Sequence, residues 1–228
     1  MPDLVASLLS PRLPPRREPG SPVPTMPEPV LRAAMRGALG GRRGSEPFRL
    51  FAYGGLMWTP ELMPGATSQP ARIRGFARAW CLHDIHMRGT PEAPGLTLGL
   101  VPTPDALCDG VLFTLPEAGL EEALWPAWRQ EMLPGFYTTA WVEAVPLPQG
   151  APLRALTFVA DASHDLWAGD LPQARKVEVL SAAVGPSGPG AEYLLRARDT
   201  LRAEGRPEPM LERLAEAIAA RLAAGPAG

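Results

Sequence analysis

The stretch FRLFAYGG, residues 48–55, is where the chain changes from polar to folded texture, and its reading decides the fold. Its residues alternate closely enough for a buried strand, and Gly54 and Gly55 end that strand. Short runs of the same kind follow: ARIRGFARAWCLHDI, LTLGLVP, CDGVLFTL, YTTAWVEAV and LRALTFVAD. Pro/Gly turns rather than long helices separate several of them, which predicts antiparallel pairing and allows a closed barrel. Between CDGVLFTL and YTTAWVEAV, the segment PEAGLEEALWPAWRQEML sets Leu120, Leu124, Trp128 and Leu133 near helical spacing. Pro116 suits a first helical turn, and Pro126 is expected to kink or restart the helix. The last third reads as three helices, LPQARKVEVLSAAV, AEYLLRARDTLRAEG and EPMLERLAEAIAARLAA, each with an apolar stripe opposite its charges. The predicted class is α+β, with strands first and most helices last.

Upstream of Phe48 the composition differs. Residues 1–47 hold 10 of the 29 prolines, no aromatic residue, and seven arginines against four acids. Such a segment buries too little apolar surface to offset its ordering entropy, so residues 1–47 are expected to be a disordered extension. Within it, Pro29 to Leu39 can make a helical turn or more before Gly40 and Gly41 stop it. The folded domain is expected over residues 48–223, with residues 1–45 dispensable. LVASLL is too short for an export signal, and its arginines follow rather than precede it.

Across all 228 residues the apolar fraction is 46% and the charged fraction 20%, which excludes global disorder. A net charge of −2 argues against a nucleic-acid binder that works by neutralising phosphates. No apolar run is long enough to predict a membrane span. Cys81 and Cys108 cannot build a disulfide framework and match no zinc spacing, so a reduced, cytoplasmic setting is expected. Cys81, His83, Asp84 and His86 invite a metal-site reading. On a strand, however, His83 and His86 face opposite sides, and no metal or other cofactor is expected.

Three stretches can carry chemistry. In FAYGGLMW, residues 51–58, a strand running into Gly-Gly lets backbone N–H groups point outward, where they can bind a carboxylate or a developing oxyanion. In WRQEMLPGFY, Glu131 follows two tryptophans near a helix end. If desolvated there, its carboxyl has a raised pKa and suits a general base; otherwise it is a solvated terminal glutamate. In HMRGTPEAPG, residues 86–95, a Gly/Pro-rich loop can hold Arg88 over a carboxylate, or simply lie on the surface.

Taken in chain order, the three stretches resemble the ChaC-like gamma-glutamylcyclotransferase family, its glutathione-degrading branch. The family's strand ending in YGSL plus an apolar residue and Trp reads here as YGGLMW, residues 53–58. Its RG and Pro-Gly loop before an apolar strand reads as RGTPEAPGLTLGL from Arg88, and its R-E-M segment as WRQEMLPGFYTTAW, with Tyr137 six residues past Glu131. GPSGPGAEYLL from Gly185 matches the family's final turn into a helix with Tyr193.

The resemblance implies a small mixed β-barrel flanked by helices and an enzyme that takes glutathione without a cofactor. It also implies that the substrate's own α-amine attacks its γ-carbonyl, releasing 5-oxoproline. By similarity Glu131 is the general acid/base, Gly54, Gly55 and Leu56 offer backbone donors, Tyr53 shapes the pocket, and Arg88 and Tyr137 meet polar ends of the substrate. Gly55 departs from the family's serine, and Gly190 stands where asparagine is common. A cyclotransferase for another gamma-glutamyl amide, or a non-catalytic regulatory relative, is the alternative.

Overall fold

The computed structural model describes residues 25–44 and 46–224. Strands β1 (Arg49–Ala52), β2 (Thr67–Asp84), β3 (Gly95–Thr114), β4 (Tyr137–Pro146) and β5 (Leu153–Ala160) form a closed barrel in the order β1-β3-β2-β4-β5. β1 pairs antiparallel with β3, Arg49 opposite Thr114 and Ala52 opposite Val111. It pairs parallel with β5 through Leu50 and Leu156. The barrel is therefore mixed rather than antiparallel throughout, because a long stretch of chain, not a hairpin, joins β1 to β5. LTLGLVP and CDGVLFTL prove to be two ends of β3, which continues through Asp105 at φ 62. The Pro- and Asp-rich middle of β3 looks like a turn in sequence, but prolines are tolerated in a strand where no ladder N–H is needed.

Five α-helices lie among the described residues: α1 (Glu28–Gly40), α2 (Leu120–Met132), α3 (Gln173–Ala182), α4 (Gly190–Ala203) and α5 (Pro209–Ala224). Two short 3₁₀ turns, Gly55–Trp58 and Pro60–Leu62, follow β1, and a two-residue hairpin, β6 (Val184–Gly185) with β7 (Gly188–Pro189), precedes α4. The chain divides into two compact units, residues 25–78 with 100–159 and residues 79–99 with 160–224. In the first, Leu50, Phe51, Ile73, Phe113, Trp128 and Phe158 are fully buried. In the second, α3, α4 and α5 pack on one another through Leu180, Leu194, Ala197, Leu211 and Ile218.

Helix α2 begins at Leu120, after Gly119 at φ 71, and so starts beyond Pro116. It also runs unbroken through Pro126. One missing intrahelical bond is tolerated because Leu124, Ala127 and Trp128 on either side are fully buried.

The expectation of disorder across residues 1–47 is corrected for residues 28–40, which form α1. Leu31 and Met35, four apart on one helical face, are buried, and α1 packs on α2. The Trp128 indole Nε1–H donates to the Leu31 carbonyl at 3.0 Å, and the Met26 N–H donates to the Leu133 carbonyl at 2.9 Å, just past the end of α2. Arg32 stacks over Trp125, 3.9 Å from the ring centroid. The helix covers the Pro29 to Leu39 run read as helical and extends to Gly40, so the sequence indicated its place but not its burial. The remaining expectations for residues 1–24 lie outside the described residues.

Met35→Ala is expected to destabilise the protein by about 2–4 kcal/mol, the usual cost of truncating a buried long side chain. Deleting residues 1–45 is expected to cost more, since it removes α1 whole. Urea unfolding midpoints read both effects, and unchanged midpoints would show that α1 contributes nothing to the fold.

Candidate active site

The Gly-Gly turn is set by how β1 is held. The Thr157 hydroxyl, fully buried in β5, donates to the Phe51 carbonyl at 3.0 Å. On the other flank, a Cβ on Gly110 of β3 would lie 2.2 Å from the Ala52 carbonyl oxygen, so only glycine lets the end of β1 come this close. Past Ala52 the chain bends at Tyr53 and Gly54 and winds into the 3₁₀ turn Gly55–Trp58, closed by Met57 N–H donating to the Gly54 carbonyl at 2.9 Å. The leading N–H groups of such a turn have no carbonyl within it to donate to. Tyr53 and Leu56 are buried, while Gly54 and Gly55 keep some exposure.

Glu131 belongs to the same unit. Leu120, Leu124, Ala127 and Trp128 make the buried stripe of α2, and Glu131, half-buried, continues that face at i+11 from Leu120. The helix packs against the second 3₁₀ turn, Pro60–Leu62, directly downstream of the Gly-Gly turn. The Gln130 side-chain amide donates to Glu131 Oε1 at 3.2 Å. Burial outweighs that hydrogen bond and pushes the Glu131 carboxyl from 4.5 up to about 7. The C-terminal end of the α2 dipole acts in the same direction. Tyr137 opens β4, with its ring in an aromatic cluster: 4.7 Å between centroids to Phe136 and 6.3 Å to Phe158.

Tyr53, Gly54, Gly55, Leu56, Glu131 and Tyr137 thus share the barrel unit, whereas Arg88 belongs to the other. There the buried Asp84 carboxylate orders the Arg88 loop by accepting from the backbone N–H groups of His86, Met87 and Arg88 at 2.8–3.0 Å. The Arg88 guanidinium lies 3.6 Å from Glu192 and over the Tyr193 ring, 5.6 Å from its centroid. Gly190 has a packing reason: a Cβ there would meet the Leu180 carbonyl oxygen at 3.2 Å, where α4 starts against α3.

Two residues escaped the sequence reading. Glu192 is the ion partner of Arg88. Arg78 is buried, and its Nε donates to the Tyr53 carbonyl at 2.6 Å. In β2, Ala71 and Ile73 are buried before Gly75, and Arg78 and Trp80 after it, so the buried positions change parity across that glycine. Gly75 has φ +85, and an extra residue accommodated there shifts the alternation by one. A lone glycine inside a strand pattern was the available signal.

The raised carboxyl predicts a pH-dependent stability. Since the folded value exceeds the unfolded one, ionising Glu131 costs stability, a cost absent below pH 4.5 and complete above about 7. Glu131→Gln is therefore expected to stabilise the protein at pH 8 by on the order of 1–3 kcal/mol, and hardly at all at pH 4.5. Unfolding midpoints at the two pH values check this, and equal shifts would mean a solvated carboxylate.

Comparison with known proteins bears on the family and the fold. A family model described as ChaC-like protein matches residues 48–221. The Escherichia coli glutathione-specific gamma-glutamylcyclotransferase is 33% identical over 162 residues, 71% of this chain and 68% of its own. The human glutathione-specific gamma-glutamylcyclotransferase 1 is 30% identical over 172 residues, covering 74% and 76%. Among solved structures, a yeast gamma-glutamyl cyclotransferase specific to glutathione superposes with a TM-score of 0.68 at 20% identity, over 76% of this chain and 96% of that one, and so shares the fold. With its motifs in order on that barrel, this chain belongs to the ChaC-like family.

Proposed function

We propose that this chain is a glutathione-specific gamma-glutamylcyclotransferase, releasing 5-oxoproline and Cys-Gly. The observation that carries the reading is Glu131, a half-buried carboxyl raised to about 7 at the end of the apolar face of a helix packed beside the Gly-Gly turn's continuation. The α-amine of the substrate attacks its own γ-carbonyl carbon and forms the ring C–N bond. The bond from that carbon to the cysteine nitrogen then breaks, and no water is consumed. Because nucleophile and electrophile belong to one molecule, holding the folded-back conformer supplies much of the acceleration. A base must take a proton from the α-ammonium, and an acid must return one to the departing amine. A carboxyl near neutrality does both, and that is the role of Glu131.

Charge gathers on the γ-carbonyl oxygen during attack. The N–H groups of Gly54, Gly55 and Leu56 are the donors for it or for the substrate carboxylate, with Tyr53 and Tyr137 as pocket walls. Arg88's part as a carboxylate partner rests on the RGTPEAPG motif and on the loop order that Asp84 imposes. The absent serine hydroxyl at Gly55 supports the second reading, a different gamma-glutamyl amide as substrate. Purified protein assayed for 5-oxoproline with glutathione and a panel of gamma-glutamyl amides separates the two readings, and release from none of them would remove both.

Glu131→Gln is expected to lower kcat about 10²–10⁴-fold with the fold intact. In the wild type, kcat/KM is expected to fall about tenfold per pH unit below about 7, as Glu131 becomes protonated. Activity in Glu131→Gln close to that of the wild type would take Glu131 out of the mechanism. Gly55→Pro removes a donor and is expected to cost about 10²–10³-fold in kcat, whereas Gly55→Ser keeps the N–H and the activity. An active proline variant, checked for fold by circular dichroism, would show that the Gly55 N–H does not serve.

A further inference from the structure

We infer that Arg78 is a positioning residue that aims and polarises the Gly54 N–H, an inference that rests on the cyclotransferase reading for its catalytic consequence but not for its geometry. Arg78 is 6% exposed. Its Nε donates to the Tyr53 carbonyl at 2.6 Å, and its Nη2 donates to the Asp109 carbonyl at 2.6 Å while lying 3.9 Å from Met57 Sδ. One planar fork thus spans β3, the residue before the glycines, and the 3₁₀ turn after them. The Asp109 carboxylate is taken by Arg72, whose Nη2 donates to Oδ2 at 2.8 Å, so Asp109 offers Arg78 its carbonyl from a fixed position.

The consequence follows from peptide geometry. In a planar trans peptide the C=O and the N–H point in opposite directions. Tyr53 C=O and Gly54 N–H belong to one peptide group. Fixing the oxygen on Arg78 therefore turns the Gly54 N–H away from the guanidinium. A charge-assisted hydrogen bond on the oxygen also draws electron density through the amide and strengthens its N–H as a donor. Such a donor gains most when charge develops on its acceptor, which ties Arg78 to kcat rather than to ground-state binding. Lysine can satisfy one carbonyl but cannot reproduce the fork.

The test uses the full chain with two variants and two readouts. In R78M the Gly54 amide ¹⁵N resonance is expected to move upfield, and kcat for 5-oxoproline release to fall on the order of 10²-fold with KM within about 3-fold. In R78K a smaller displacement of the same resonance and a kcat loss of about 10-fold are expected, a partial rescue that loss of packing alone would not give. If R78M does not fold, R78K carries the test. A Gly54 resonance unmoved in a folded variant overturns the proposal, and so does a moved resonance with wild-type kcat, or a loss confined to KM. If the wild type releases no 5-oxoproline, the cyclotransferase reading fails, while the Gly54 resonance still decides whether Arg78 sets that peptide.

Discussion

Four residues, Arg49–Ala52, close the barrel, and the candidate site depends on how tightly that short strand is held. β1 is too short to fix its own direction. It borrows a register from β3 on one side and a parallel partner in β5 on the other, and Thr157 and Gly110 set its last residues at close range. Whatever follows Ala52 must leave the sheet in one direction only. The Gly-Gly turn is therefore less a flexible loop than the fixed end of a clamped strand.

Two charged groups in the barrel unit are treated in opposite ways. Glu131 is desolvated on an apolar stripe beside an amide, and its proton is held up to about neutrality. Arg78 is desolvated too, but carbonyl oxygens meet its fork, so a permanent charge becomes a brace for backbone. A poor environment for its charge raises an acid's pKa, and a rich set of acceptors fixes a cation's geometry. Helix α1 bears on the first of these. It packs on α2 and accepts the Trp128 indole N–H, and Met26, just before it, donates its N–H to the carbonyl just past α2, so the helix carrying Glu131 is buttressed by residues with no motif character.

In the second unit, a buried carboxylate orders a loop through backbone donors. The carboxylate of Asp84 is occupied by three consecutive backbone N–H groups, and the loop they form presents Arg88 to Glu192 and Tyr193. The RG motif thus acts with residues about a hundred positions later, in the stretch that opens α4.

Local information was enough for much of this. Strand and helix segments follow from period and punctuation, and the three C-terminal helices lie where their stripes put them. Glu131 was legible as a candidate because tryptophans and a helix end surround it in sequence, with a solvated glutamate left open, and the motif order carried the family. Tertiary structure alone decided the rest. Parallel closure of β1 on β5 joins segments far apart in the chain, which no local pattern encodes. The order of α1 comes from burying Leu31 and Met35 against a helix some ninety residues away, against the bias of its own composition. Arg78 faces inward because one glycine at positive φ shifts the strand's alternation, and a period of two, read in sequence, has no means of announcing where it slips.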